Sequence, residues 1–88
     1  MFSFLQKATH GDLERILERL RLNASNNYRD ATKDDLAELT QRYEELKNAG
    51  KLNQKQTDYY RKMIAEYGIK LQNFSHNSQK VNSYSEKL

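Results

Sequence analysis

The sequence contains no cysteine, no proline and no tryptophan, and only three glycines among 88 residues. Each absence removes options. Without cysteine, neither a disulfide nor a thiolate–metal site can supplement the core. Gly11, Gly50 and Gly68 stand alone, so there is no glycine-rich loop to cradle a phosphate. The two histidines, His10 and His76, are far apart and neither has a ligand partner three or four residues away, which argues against zinc. No apolar run approaches the roughly 20 residues needed to cross a bilayer. Met1–Lys7 is too short an apolar run for a secretory signal and has no basic segment before it. The expectation is a cytoplasmic protein with no membrane partner. Asn23-Ala24-Ser25 and Asn73-Phe74-Ser75 match glycosylation triplets, but in that setting they are coincidences of an Asn- and Ser-rich chain.

What is present is polar and helix-forming. Hydrophobic residues make up 36% of the chain and charged residues 31%, with a mean hydropathy of −1.06. Leu, Glu, Lys, Arg, Gln and Ala dominate, and β-branched residues are few, so the chain reads all-α. A domain of this length buries only roughly 60% of the surface its unfolded chain exposes. Without staples it depends on good helix packing, on a partner or on self-association.

Three apolar stripes mark three helices. Leu13, Ile16, Leu17, Leu20 and Ala24 follow the i, i+3, i+4, i+7 pattern and predict a helix to about residue 23. Thr9 and Asp12 have the form of a capping box at its start. Residues 23–30 read as a polar loop, with Tyr28 pinning it to the bundle and Leu22 packing past the helix end. Thr32 and Asp35 form a second candidate capping box, opening a helix that carries Leu36, Leu39, Tyr43 and Leu46. On it, Glu38 and Arg42 are an expected i,i+4 ion pair, with Tyr43 and Lys47 at the same spacing. Gly50 supplies the left-handed residue that ends this helix. Asn53 then caps a third, with Gln56 as its box partner.

The third stripe is Leu52, Gln56, Tyr59/Tyr60, Met63, Ile64, Tyr67 and Leu71. Gly68 either ends the helix or sits within it. The second reading is favoured, because Leu71 and Phe74 extend the same stripe. The architecture expected is a small antiparallel three-helix bundle over 1–74. Phe2, Phe4, Leu5 and Ala8 can add a short fourth helix at the N-terminus. Residues 75–88 have little to bury and no period, and are expected to form a disordered polar tail.

Chemistry-bearing constellations are missing from the pattern. Asp34-Asp35 and Glu44-Glu45 are neighbours on a helix and point in different directions. No serine is placed beside a base with a third group to orient it. The expectation is therefore no catalytic residue, no cofactor, no metal and no small-molecule substrate. A helix-turn-helix unit is disfavoured as well. Lys51 follows the turn glycine, and Leu46 occupies the position where a small residue is needed.

Two surfaces remain. Six tyrosines is a high number for this length. Tyr59 and Tyr60 diverge by about 100° on a helix, so one of them should be partly exposed. With Arg61 and Lys62 at the rim, Tyr59 or Tyr60 is the predicted anchor for a protein partner. Charge offers the alternative. Residues 1–50 carry eight Lys/Arg and nine Asp/Glu, whereas residues 51–88 carry seven and three. Lys51, Lys55, Arg61, Lys62 and Lys70 could contact phosphates without reading sequence. The competing reading is a solvated face whose lysine stems shield apolar surface.

Leu46-Lys47-Asn48-Ala49-Gly50-Lys51-Leu52-Asn53, followed by Met63-Ile64, resembles the helical hairpin of short C-terminal oligomerisation domains found on many bacterial proteins. It departs from them at Thr57, where an aromatic is usual, and at Lys55 and Gln56, which replace acidic residues. The resemblance implies self-association. The function expected is a small non-enzymatic interaction module binding a protein partner or itself, with accessory nucleic-acid binding as the alternative.

Overall fold

The computed structural model describes residues 8–79, with side chains placed for residues 8–73. It is all-α: α1 spans Gly11–Ser25, α2 Arg29–Asn48 and α3 Gln54–Gln79. No strand occurs among the described residues. Of the expected N-terminal turn over 2–8, residues 2–7 lie outside them and Ala8 is not helical; residues 80–88 of the expected tail lie outside them as well.

Three- and five-residue connections fold consecutive helices back on each other, giving the antiparallel bundle. Both connections close a helix in the same way. At the end of α1, Tyr28 N–H donates to the Asn23 carbonyl (2.9 Å) and Asn27 N–H to that of Ala24 (3.1 Å). At the end of α2, Lys51 N–H donates to Leu46 (2.9 Å) and Gly50 N–H to Lys47 (3.0 Å). The pivot residues, Asn27 (φ 61°) and Gly50 (φ 72°), are left-handed. That is the Schellman arrangement, which satisfies the last carbonyls of a helix and needs Gly or Asn at its pivot.

Helix starts depart from expectation at two of three positions. At α1 the cap is His10, not Thr9. The His10 Nδ1 accepts from the Asp12 N–H at 3.2 Å, and the Asp12 carboxylate goes to Arg42 and Arg15. At α2 the capping box does not form. Thr32 turns its hydroxyl back to the Tyr28 carbonyl (2.7 Å), and Asp35 is drawn to α1. The helix therefore starts at Arg29, a full turn early, with no side-chain cap at Tyr28. The third start is as the pattern requires. Asn53 Oδ1 accepts from Gln56 N–H, and Gln56 Oε1 accepts from Asn53 N–H, both at 2.8 Å.

Leu13, Ile16, Leu17 and Leu20 of α1, Leu39, Tyr43 and Leu46 of α2, and Tyr60 of α3 form the buried core. Each fully buried aliphatic side chain contributes about 1.5–3 kcal/mol relative to leaving it exposed. Leu36, Leu52, Tyr59, Met63, Ile64 and Tyr67 are half-buried around it. Thus α1 and α2 make the tight pair. α3 lies against them through one buried aromatic ring and a flank of half-covered residues. Its backbone runs unbroken through Gly68. Leu22 and Tyr28 do not pack as expected: Leu22 lies within α1 and is 62% exposed, and Tyr28 is 58% exposed.

Candidate functional site

The first turns of α3 are bound into the bundle by polar side chains. The Tyr60 ring is fully buried, and its hydroxyl has partners all round. It accepts from the His10 N–H (3.0 Å) and donates to Glu14 Oε1 (3.0 Å), with the His10 carbonyl 3.4 Å away. Burial pushes its acidity constant well above the ordinary tyrosine value, and the Glu14 carboxylate adds to the rise. Gln56, also buried, donates to the Thr9 carbonyl at 2.7 Å. These bonds tie α3 to the segment leading into α1.

A run of ion pairs crosses the seam between α1 and α2, lining a polar opening of about 510 Å³. Arg42 reaches Asp12 (3.0 Å) and Glu45 (3.1 Å). Arg19 reaches Asp35 (2.8 Å) and Glu38. Asp35 is almost fully buried and takes a further bond from Asn23 Nδ2 (2.7 Å). The expected Glu38–Arg42 pair does not form, because each finds a partner across the seam on α1. The Arg42 hydrogen bond holds the Asp12 carboxyl below its ordinary acidity constant. The Tyr43–Lys47 spacing becomes a cation over a ring, with Lys47 Nζ 5.4 Å from the centroid.

The proposed anchor cluster is divided by the structure. Tyr60 is in the core and cannot meet a partner. Tyr59 is half-buried, edge-on to Tyr60 (centroids 4.9 Å, 77°), and its hydroxyl accepts from Arg21 of α1 at 3.1 Å. Arg61 is exposed but bonded to Asp58 at 2.8 Å. It lies two positions beyond Tyr59, about 200° round the helix, so the two sit on different flanks of α3. Lys62 is exposed and, three residues past Tyr59, shares its flank. Of the basic set, Lys51, Lys55 and Lys62 are exposed. Lys51 lies in the connection before α3, and Asp58 and Glu66 share the outer face of α3 with Lys55 and Lys62. Lys70 sits over the Tyr67 ring, 5.2 Å from its centroid.

The pattern gave no direct sign of the groove beside the second half of α3. It has a volume of about 370 Å³. Its floor is Ala24, Tyr67 and Leu71 with the buried Thr32, and Arg21 and Lys70 stand at its rim. Across Leu71 a second opening, about 340 Å³, runs past Gly68 between α3 and the start of α2, with Arg29, Asp30 and Lys33 on its wall. A small residue lines each opening, Ala24 the first and Gly68 the second. A methyl group added at Gly68 would meet no atom within 4 Å. The available signal was Gly68 itself, a residue that costs a helix about 1 kcal/mol relative to Ala.

Chemically these surfaces can bind. Among the described residues no three His, Asp or Glu side chains are placed to hold a metal. His10 is engaged as a helix cap, and the Ser25 hydroxyl donates to the Leu22 carbonyl at 2.9 Å. No helix among the described residues is long and apolar enough to cross a membrane.

No protein-family model matches the chain, and no match was found among curated proteins or solved structures. The functional reading therefore rests on the geometry.

Proposed function

We propose that this chain is a non-enzymatic helical module that binds another protein, and that the groove between α3, the end of α1 and the start of α2 is its site. The observation that carries this reading is the contrast in how side chains are used. The ionisable groups of the α1–α2 seam are engaged in holding the bundle together. Among the described residues nothing covers Ala24, Tyr67 and Leu71 on the groove's floor, under a rim where Tyr59 holds Arg21 in place. An apolar floor with a polar rim is the usual anatomy of a protein contact site. The anchoring role first given to the tyrosine pair passes to this groove, with Tyr59 positioning its rim.

The test is a photo-reactive residue placed at Gln72 or Asn73, beside the groove, and at Glu44 on α2 as a control, in the native host. The expected result is a discrete protein adduct, or a crosslinked dimer of the chain itself, at the groove positions and not at Glu44. Equal labelling at all positions, or no adduct, contradicts the reading.

One observation favours the alternative. Lys51, Lys55 and Lys62 are exposed cations, suited to salt-sensitive contact with phosphates. Retention on duplex DNA at low salt, abolished by Lys55→Glu with Lys62→Glu, would support it. The carboxylates of Asp58 and Glu66 beside them weigh against it.

A further inference from the structure

We propose that the occupant of this groove is an acidic amphipathic helix of a partner protein; this rests on the protein-binding reading above and adds the partner's chemistry. Charge complementarity confined to one end of the molecule selects this occupant. Over residues 8–73, twelve Lys and Arg face eleven Asp and Glu, so the described body is close to neutral. The distribution is uneven. Along the α1–α2 seam every arginine meets a carboxylate: Arg15 and Arg42 on Asp12, and Arg19 on Asp35 and Glu38. At the groove the cations find other partners. Arg21 is bonded to the neutral Tyr59 hydroxyl. Lys70 lies over the Tyr67 ring. Lys33 projects from the far wall across Leu71. Among the described residues the one carboxylate on either wall is Asp30, which faces its neighbour Arg29 at 3.9 Å with its side chain almost wholly in water.

The shape selects the form of the occupant. The gap runs between helices and has an apolar floor interrupted by small residues. That suits a third apolar ridge laid into it, with side chains at i, i+3 and i+4 entering past Ala24 and Gly68. Carboxylates on the flanks of such a helix would meet Arg21 and Lys70 on one side and Lys33 on the other. A basic or neutral helix would fill the floor equally well and leave those cations unanswered. A nucleic-acid strand would answer the cations and leave the floor bare. Only an acidic amphipathic segment uses both.

The test uses the full chain and three synthetic helical peptides of one design, with leucine on one face and Glu, Gln or Lys on the flanks. Amide NMR titration reads affinity and place together. The expected result is that the Glu peptide perturbs Ala24, Tyr67, Lys70 and Leu71 first. The Gln peptide should bind the same residues about tenfold more weakly, as the loss of about three exposed charge pairs implies, and the Lys peptide more weakly still. Lys33→Glu with Lys70→Glu should reverse the order of the peptides, with the helical circular dichroism of the free chain checked in parallel because Lys70 also sits over the Tyr67 ring. If all three peptides bind the groove alike, the acidic partner is wrong and the protein-binding reading survives. If none perturbs the groove and light scattering shows no self-association, both fall. Duplex DNA perturbing the same residues more strongly than the Glu peptide would overturn the proposal in favour of nucleic acid.

Discussion

The two halves of α3 rest on the same pair of helices and are held there by different means. The first half inserts a fully buried aromatic ring, hydrogen-bonds the chain before α1 through Tyr60 and Gln56, and starts from a reciprocal cap at Asn53. The second half contributes half-buried Tyr67 and Leu71 and passes Gly68 and Ala24, the small residues that line the two openings. Among the described residues, the hydrogen bonds between α3 and α1 or its leading segment all come from Gln56, Tyr59 and Tyr60. Specific polar anchoring at one end leaves the other end free to present a groove. A bundle this small can hold one helix firmly and still keep a surface open, provided the two tasks are given to different turns.

That division can be broken from either side. The largest effect belongs to Tyr60→Ala. It removes the one fully buried ring among the described residues of α3 and should destabilise the fold by about 3–5 kcal/mol, read by urea denaturation. Next, Tyr60→Phe keeps the ring and strips the hydroxyl. The His10 N–H and Glu14 lose their partner, for about 1–3 kcal/mol. A loss as large as that of the alanine variant would mean that the hydrogen bonds, not the packing, hold the first half. Asn53→Ala should cost about 1 kcal/mol by removing the cap. On the other half the sign reverses. Gly68→Ala meets no clash and should stabilise by up to about 1 kcal/mol. A destabilisation there would show that the groove is already occupied by part of this chain.

The smallest effect is in acid. Asp12 is held below its ordinary acidity constant by the hydrogen bond from Arg42, with the nearby positive charges of Arg42 and Arg15 adding to it. A depressed carboxylate stabilises the fold above the unfolded value of about 3.9. That contribution disappears as pH falls through the folded value. Acid should therefore loosen the contact between the start of α1 and the end of α2. Asp12→Asn should flatten the acid limb of the stability curve. An unchanged limb would show that the Asp12–Arg42 pair has no net effect.

Much of the bundle was legible because periodicity and helix-end chemistry are local. The α1 stripe, the Gly50 pivot and the Asn53–Gln56 box depend on residues within a turn of each other, and each reads directly from spacing. The continuation through Gly68 was also readable, since Leu71 keeps the stripe's phase beyond it. The misread positions depend on distant partners. Thr32 and Asp35 have the form of a cap, but Asp35 meets Arg19 and Asn23 on another helix, and that competition moves the start of α2 back to Arg29. Glu38 and Arg42 are separated by the same pull. Which of Tyr59 and Tyr60 turns inward could not be decided from an apolar stripe wide enough for either. It is settled by His10 and Glu14, some fifty residues away. The groove was hidden for a related reason: the residues that line it come together only once α1, α2 and α3 are set side by side.

Residue-resolved amide hydrogen exchange in the native state tests the division of α3 most directly. The account predicts that amides around Tyr60 and Met63 exchange only through global unfolding, together with those of Leu17 and Leu39. Amides from Gly68 to Asn73 should exchange faster, through local opening that leaves the first half closed. Equal protection along the whole helix, or slower exchange beyond Gly68 than around Tyr60, would contradict it.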